Sequence, residues 1–238
     1  HLGRGEQLTL APSRAGTPHL RADDSASGTA GVLDLARWYS SRPTPERGIL
    51  FMAYAGEELG LLGSSHYANA PALPLGKAVA MLNMDMIGRV KEGKLYVGGS
   101  GTGSNFQEIL KEVVPESPLK VDYSDKSGYG SSDHTSFTAK QIPVLFFFSG
   151  LHEDYHKPSD TWEKIDAEAA AQVLDLVARV AARLIETDNL PKFVKVREAH
   201  PADRATGRPL GRFWILPKYR MGFVFPTAGK GRRQRGRD

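Results

Sequence analysis

The sequence predicts an α/β fold, a three-layer α/β/α sandwich in which helices cover both faces of a mostly parallel mixed sheet. Apolar runs of strand length lie at residues 48–54, 78–87 and 142–148, and segments of helical periodicity alternate with them. This alternation is typical of layered α/β domains. The runs contain no regular polar positions, which indicates strands that are covered on both faces.

The helical segments are identified by apolar residues that recur three or four positions apart. The longest one has the clearest pattern, because Val173, Val177 and Val180 line one face and Asp166 is placed to cap the first turn. The predicted helices span residues 29–41, 59–69, 104–114 and 166–187, and a further strand is predicted at Lys94–Gly98.

The α/β pattern weakens after Leu190-Pro191, which predicts two parts. Residues 1–190 would form the α/β domain, and residues 191–238 a basic tail or an incomplete C-terminal module. Residues 197–238 hold 11 Lys or Arg against 3 acids, whereas residues 1–196 hold 20 against 24. The composition of the tail is typical of a solvated segment, so no nucleic-acid partner is expected. No run of 18 apolar residues occurs, and no membrane span is predicted.

Acidic residues cluster where predicted strands and loops end, which is where open α/β sheets bind ligands. Asp23 and Asp24 precede the first helix, and Glu57 and Glu58 follow the apolar run 48–54. Acids at the N-terminus of a helix also stabilise its dipole, so helix capping is an alternative role for both pairs.

Asp85 and His156 are the other two candidates. An ionised Asp85 inside an apolar run costs several kcal/mol unless it is paired or binds a metal. A structural, hydrogen-bonded role is the alternative for both side chains. The chain has no cysteine, so only His, Asp and Glu could hold a metal. Together, Asp24, Glu58, Asp85 and His156 form a nitrogen and oxygen ligand set that is suited to zinc.

Five short motifs follow one another along the chain. They are ADDSASG at residues 22–28, AGEELGLLGS at 55–64, NMDMIG at 83–88, SDHTSF at 132–137 and DYH at 154–156. In this order they resemble the co-catalytic di-zinc aminopeptidase family, whose relatives include glutamate carboxypeptidases and glutaminyl cyclases. The resemblance implies an α/β/α sandwich of the zinc-exopeptidase type.

The resemblance also implies how two Zn²⁺ ions would be held. Asp24 would bridge both ions, Glu58 and His156 would hold one of them, and Asp85 would hold the other. The family usually carries His-x-Asp-His-Leu-Gly upstream, and this chain begins with only the second half of that motif. We therefore expect an N-terminally truncated chain with an exposed strand edge, in which one or both ions are absent. His1 is an alternative ligand.

Two residues of this sequence differ from the family pattern beside the bridging aspartate. Arg21 stands where similar sequences carry Gly, and Ser25 stands where Asn is common. Arg21 would bring a bulky cation close to the metal site. Both differences predict weaker metal binding without changing the family.

The resemblance implies a metal-dependent exopeptidase, an aminopeptidase that acts on peptides with a free N-terminus. Glu57 would be the general base, and the Tyr155 hydroxyl would stabilise the oxyanion, with core packing as its alternative role. A periplasmic or secreted location is expected from the resemblance. Two other functions remain open: a catalytically silent binding or scaffolding domain, and a carboxypeptidase or glutaminyl cyclase on the same scaffold.

Overall fold

The computed structural model describes residues 20–196, which form a four-stranded mixed sheet with helices on both faces. The strands are β1 (Met81–Met84), β2 (Lys94–Gly98), β3 (Lys120–Asp122) and β4 (Val144–Phe148). Their order in the sheet is β1-β4-β2-β3. Two pairs are parallel, β1 with β4 and β2 with β3, and β2 pairs with β4 in the antiparallel direction. The predicted α/β class and mixed sheet are confirmed. The helices are α1 (Gly28–Ser40), α2 (Leu62–Asn69), α3 (Phe106–Val113), α4 (His134–Thr138) and α5 (Ala167–Glu186).

Side chains of the central strand β4 divide between two cores. Leu145 and Phe147 are fully buried in the larger core, together with side chains of α3 and α5. Val144 belongs to a smaller core beside α4, and the Phe146 ring stacks on His134 with 4.4 Å between ring centroids. Because successive residues of a strand face opposite sides of the sheet, helices lie on both faces of β4, as the three-layer prediction requires.

Helix α5 contributes an apolar stripe to the larger core. The Asp166 side chain caps this helix by accepting a hydrogen bond from the backbone N–H of Ala169 at 2.9 Å. Both the cap and the stripe agree with the sequence prediction. The buried residues of the stripe are Val173, Leu176, Val177, Val180 and Leu184.

The predicted strand at residues 48–54 is wrong, because none of these residues is in a strand. A strand requires a hydrogen-bonded neighbour, and within residues 20–196 β1 is an edge strand that pairs only with β4. The segment instead lines an apolar cleft of about 790 Å³ beside β1. The exposed strand edge expected from the sequence stays a prediction.

The remaining differences concern short elements. The strand predicted at residues 78–87 is only four residues long in β1, and the helix predicted from residue 59 begins at Leu62 after a separate turn. Strand β3 and helix α4 were not predicted, because elements of three and five residues are too short to show a periodicity.

The chain beyond residue 190 is still paired with the α/β body where it is described. The backbone N–H of Val194 donates to the carbonyl of Thr102 at 2.8 Å, and that of Ser104 donates to the carbonyl of Lys192 at 2.9 Å. Residues 197–238, most of the predicted tail or module, lie outside the described residues, and the domain boundary stays a prediction. No helix within residues 20–196 is both long and apolar enough to span a membrane.

Truncation of a core leucine tests the larger core against a matched surface position. Leu176 of α5 is fully buried, whereas Leu33 of α1 is 64% exposed. Leu176→Ala should lower the free energy of unfolding by about 2–5 kcal/mol, since it removes apolar contacts and leaves a cavity. Leu33→Ala should change it by less than about 0.5 kcal/mol. Urea denaturation measures both, and equal losses would contradict the assignment of this core.

Candidate functional site

Asp24 is placed by a tight turn, Ala22–Ser27, that leads into α1. The carboxylate of Asp160 accepts hydrogen bonds from the backbone N–H groups of Asp23, at 3.0 and 3.1 Å, and Asp24, at 3.2 Å. Asp23 in turn accepts a hydrogen bond from the N–H of Gly88 at 2.7 Å. A Cβ at position 88 would lie 2.9 Å from the Asp23 carboxylate, so this close approach requires glycine. These bonds fix a buried turn from which Asp24 projects.

Glu57 and Glu58 belong to a short turn, Glu57–Leu59, that precedes α2. Glycines frame it on both sides: Gly56 has a φ of 70° and Gly60 a φ of 101°. Glycine adopts positive φ without steric cost, so the chain can reverse sharply on either side of the two carboxylates. Both glutamates are partly buried and have interaction partners in the protein.

Three of the predicted ligands converge on one point. The Nε2 atom of His156 lies 3.1 Å from Oδ2 of Asp24 and 3.0 Å from Oε1 of Glu58. One ligand atom from each residue lies within 4.8 Å of the other two. Their positions in the sequence are 34 or more apart, so only the folded chain brings them together.

The chemistry and spacing of this group fit a zinc ion. Zinc binds carboxylate oxygen at about 2.0–2.2 Å and imidazole nitrogen at about 2.0–2.1 Å, so two ligand atoms at a tetrahedral angle lie about 3.3 Å apart. The separations from His156 to Asp24 and Glu58 are 3.1 and 3.0 Å. Two carboxylates and one imidazole also match the ligand types that zinc uses when no cysteine is present.

The two carboxylates change the protonation of His156 when no metal is bound. Burial favours the neutral ring, but hydrogen bonds to Asp24 and Glu58, and the charges of these two groups, raise the pKa of His156 to about 9. A proton on His156 is therefore what a metal has to displace at this site.

Arg21 also contacts this group of ligands. Its NH1 donates to Oδ2 of Asp24 at 3.1 Å and to Oε1 of Glu58. The side chain is 4% exposed, and the backbone has a φ of 50°, in the left-handed region. The expectation that Arg21 brings a cation close to the predicted ligands is met.

Asp85 directly follows β1 and is fixed by a chain of hydrogen bonds. The Ser132 hydroxyl donates to Oδ2 of Asp85 at 2.9 Å, and the Asn83 amide donates to the same hydroxyl at 2.9 Å. Nδ1 of His134 lies 3.4 Å from the Asn83 amide nitrogen. Asp85 lies outside the three-residue group formed by Asp24, Glu58 and His156, and its role at a second ion stays a prediction.

Tyr155 stacks on His156 with 3.7 Å between ring centroids. Burial, followed by the charges of four carboxylates, raises the pKa of the Tyr155 hydroxyl above its ordinary value. The hydroxyl therefore keeps its proton at neutral pH and can donate a hydrogen bond. The four carboxylates are Asp24, Glu58, Asp85 and Glu57, which places all of them near this ring.

The loop that bears Tyr155 and His156 is anchored by Asp154. Lys164 donates to the Asp154 carboxylate at 2.6 Å and Arg89 donates at 3.1 Å. Hydrogen bonds from Lys164, then Ser159 and Arg89, hold the pKa of Asp154 well below its usual range. The carboxylate thus stays ionised and keeps the loop attached to two cationic side chains.

The structure thus gathers Asp24, Glu58 and His156, and it places Asp85, Glu57 and Tyr155 near them, while their individual roles stay predictions. His1 lies outside the described residues. Sequence reasoning missed the supporting roles of Asp160 and Ser132. Ser132 opens the motif SDHTSF, so the motif was a signal, but only the hydrogen bond to Asp85 reveals its role.

The buried His134 predicts a pH dependence of stability. Burial lowers the pKa of His134 to about 4, whereas an unfolded histidine has a pKa near 6.5. The unfolded chain therefore binds the proton first, and stability falls as pH falls from about 6.5 to 4, by up to about 3 kcal/mol.

His134→Gln should reduce the decrease in the free energy of unfolding between about pH 6.5 and 4. Urea unfolding at several pH values in that window measures it. His66→Gln, which removes a solvent-exposed histidine, is the matched control and should leave the wild-type profile unchanged. Parallel profiles for wild type and His134→Gln would contradict the prediction.

Comparison with known proteins identifies the family of the chain. The family model described as Peptidase family M28 matches residues 12–181. The aminopeptidase YwaD of Bacillus subtilis (strain 168) is 33% identical over 183 residues, which are 73% of this chain and 40% of that protein. The chain therefore spans less than half the length of this relative.

The fold is also similar to those of solved structures. A zinc aminopeptidase from Bacillus subtilis, BSAP, has a TM-score of 0.61 and 29% identity, covering 74% of this chain and 46% of that one. A glutaminyl cyclase from Porphyromonas gingivalis has a TM-score of 0.61 at 20% identity, covering 75% of this chain and 68% of that one. The second likeness concerns the fold alone.

Proposed function

This chain belongs to peptidase family M28, and on that basis we propose that the protein is a zinc-dependent aminopeptidase that removes N-terminal residues from peptides. The observation that supports this most is the convergence of Asp24, Glu58 and His156, with ligand atoms within 4.8 Å of one another. Two carboxylates and an imidazole at this spacing suit zinc.

We assign two zinc ions to the functional protein. Asp24 would be shared between them, Glu58 and His156 would hold one, and Asp85 would hold the other. The hydrogen bond from Ser132 to Asp85 supports this role, because a fixed carboxylate loses less freedom when it binds a metal. Bound zinc supplies a water of lowered pKa and polarises the substrate carbonyl.

Glu57 is the proposed general base. Its neighbour Glu58 is a proposed ligand, and both glutamates belong to the same short turn between two glycines. Glu57 would take a proton from the attacking water and pass it to the leaving amine, which is the usual work of a positioned carboxylate. Its nearness to the site is indicated by its effect on the pKa of Tyr155.

The Tyr155 hydroxyl is the proposed donor to the oxyanion. The raised pKa of this group keeps it protonated, and stacking on His156 limits the movement of its ring. A donor that is already in place when negative charge develops on the substrate oxygen stabilises the transition state.

We favour an aminopeptidase over a carboxypeptidase because relatives that the chain matches are named as aminopeptidases. They include YwaD at 33% identity and the zinc aminopeptidase BSAP at 29% identity, both of Bacillus subtilis. The periplasmic or secreted location remains a proposal that rests on resemblance.

The decisive experiment is hydrolysis of aminoacyl-nitroanilides by the full-length protein, with zinc content measured on the same sample. Free-amine substrates should be cleaved and their N-acetyl counterparts should not, and chelation of zinc should abolish cleavage. Cleavage of blocked substrates would exclude an aminopeptidase. Zinc binding without cleavage of any peptide would favour the silent binding domain, and cyclisation of N-terminal glutamine would favour a glutaminyl cyclase.

Glu57→Gln tests the assigned base in the same assay. The amide cannot accept the proton, so kcat should fall roughly 100- to 10,000-fold while zinc content stays unchanged. Glu153→Gln, an exposed glutamate three residues before His156, is the matched control and should retain activity. If Glu57→Gln kept full activity with zinc bound, the assignment of Glu57 as the general base would be wrong.

A further inference from the structure

The buried guanidinium of Arg21 lies where a metal ion would act. Its NH1 donates to Oδ2 of Asp24 and to Oε1 of Glu58. These are the same two oxygen atoms that Nε2 of His156 contacts, at 3.1 and 3.0 Å. A guanidinium nitrogen and a metal ion would therefore compete for the same carboxylate lone pairs.

The arginine has no other described anchor that explains its burial. Its side chain is 4% exposed, and its Nε atom is buried without a hydrogen-bond partner among the described residues. Leaving a buried donor unsatisfied is costly, so the contacts of NH1 with Asp24 and Glu58 must provide the compensation. The side chain is thus held in place by the two carboxylates.

The backbone at Arg21 has an uncommon conformation. Its φ of 50° and ψ of 52° lie in the left-handed region, which residues other than Gly, Asn and Asp seldom adopt. The position immediately precedes the turn Ala22–Ser27 that presents Asp24. An unfavourable backbone conformation at a large side chain indicates that its interactions compensate for the strain.

We propose that Arg21 is a tethered cation that competes with zinc at the site formed by Asp24, Glu58 and His156. It stabilises the metal-free protein by neutralising two neighbouring carboxylates, and it weakens metal binding because zinc must displace the guanidinium from both oxygens. The inference rests on the proposed metal site, but it concerns the affinity for zinc and does not depend on which substrate is cleaved.

The electrostatics support competition between the two cations. Two ionised carboxylates in a partly buried site repel each other, and any cation between them lowers that repulsion. Arginine stays charged at all accessible pH values, so the guanidinium provides this cation throughout. Once zinc binds, the guanidinium would be repelled by a dication and would lose its hydrogen bonds to the carboxylates. Zinc and the guanidinium therefore cannot occupy the site together.

The test is zinc affinity, measured by competition with a chromophoric chelator at one fixed pH. Arg21→Asn removes the charge and keeps a residue that tolerates positive φ. It should bind zinc on the order of 10- to 100-fold more tightly than the wild type, the usual range for coupling between two ligands. Arg21→Lys keeps a cation and should bind zinc with an affinity closer to that of the wild type.

Arg37→Gln is the matched control, because it removes the same charge from a side chain that is 84% exposed on α1. It should leave zinc affinity within about twofold of the wild type, because screening weakens distant surface charges. If Arg37→Gln and Arg21→Asn increased zinc affinity equally, the effect would come from net charge alone, and the proposal would be overturned. Unchanged or weaker zinc binding by Arg21→Asn would overturn it directly.

Thermal unfolding gives a second readout that does not require activity. Saturating zinc should raise Tm more in Arg21→Asn than in the wild type, since tighter binding adds more stability at the same zinc concentration. If Arg21→Asn does not fold, Arg21→Gly replaces it, because glycine adopts this φ freely.

NMR of the wild type gives a third readout. The signal of the Arg21 Nε–H should shift on addition of zinc, and an unchanged signal would contradict the displacement of the guanidinium by zinc.

These measurements separate the inference from the proposed function. If Arg21→Asn binds zinc more tightly but no peptide is cleaved, the role of Arg21 as a tethered cation is supported and the aminopeptidase function is contradicted. If the wild type cleaves peptides and all variants bind zinc with equal affinity, the aminopeptidase function is supported and the role of Arg21 is contradicted. If neither the wild type nor Arg21→Asn binds zinc, the proposal that Arg21 competes with zinc is overturned.

Discussion

Two carboxylates that share one small, partly buried site need a cation between them, and this requirement organises the described structure. Asp24 and Glu58 both direct an oxygen at His156 and at Arg21, so these two side chains can supply the positive charge that the carboxylates need. Removing either carboxylate from water is costly unless such partners are present. A zinc ion would satisfy the same requirement with a higher charge.

The supporting structure has to hold these groups in place despite their mutual repulsion. Asp160 fixes the turn before α1 through the backbone N–H groups of Asp23 and Asp24. Asp154 fixes the loop of His156 through Lys164 and Arg89. These supporting carboxylates accept hydrogen bonds from backbone amides or cationic side chains, so buried charge is compensated locally around the candidate centre.

Positive φ angles occur where the site residues are presented. Arg21, Gly56 and His156 have φ values of 50°, 70° and 58°, and each lies beside or within the ligand group. At Gly56 this conformation is free of steric cost, whereas at Arg21 and His156 the contacts with Asp24 and Glu58 have to compensate for it. Strained backbone that is held by its surroundings often accompanies functional sites in proteins.

The sequence by itself determined the α/β class, the long capped helix α5 and the identity of the candidate ligands, because apolar periodicity and acidic residues at element ends are local signals. The resemblance of the motifs predicted that Asp24, Glu58 and His156 share a site. Only the tertiary structure decided how closely their ligand atoms approach, because these residues come from three distant segments. It also decided that residues 48–54 form no strand, because pairing depends on a neighbouring chain and not on apolar character. The sequence placed Arg21 near the ligands, but its contacts with both carboxylates appear only in the fold.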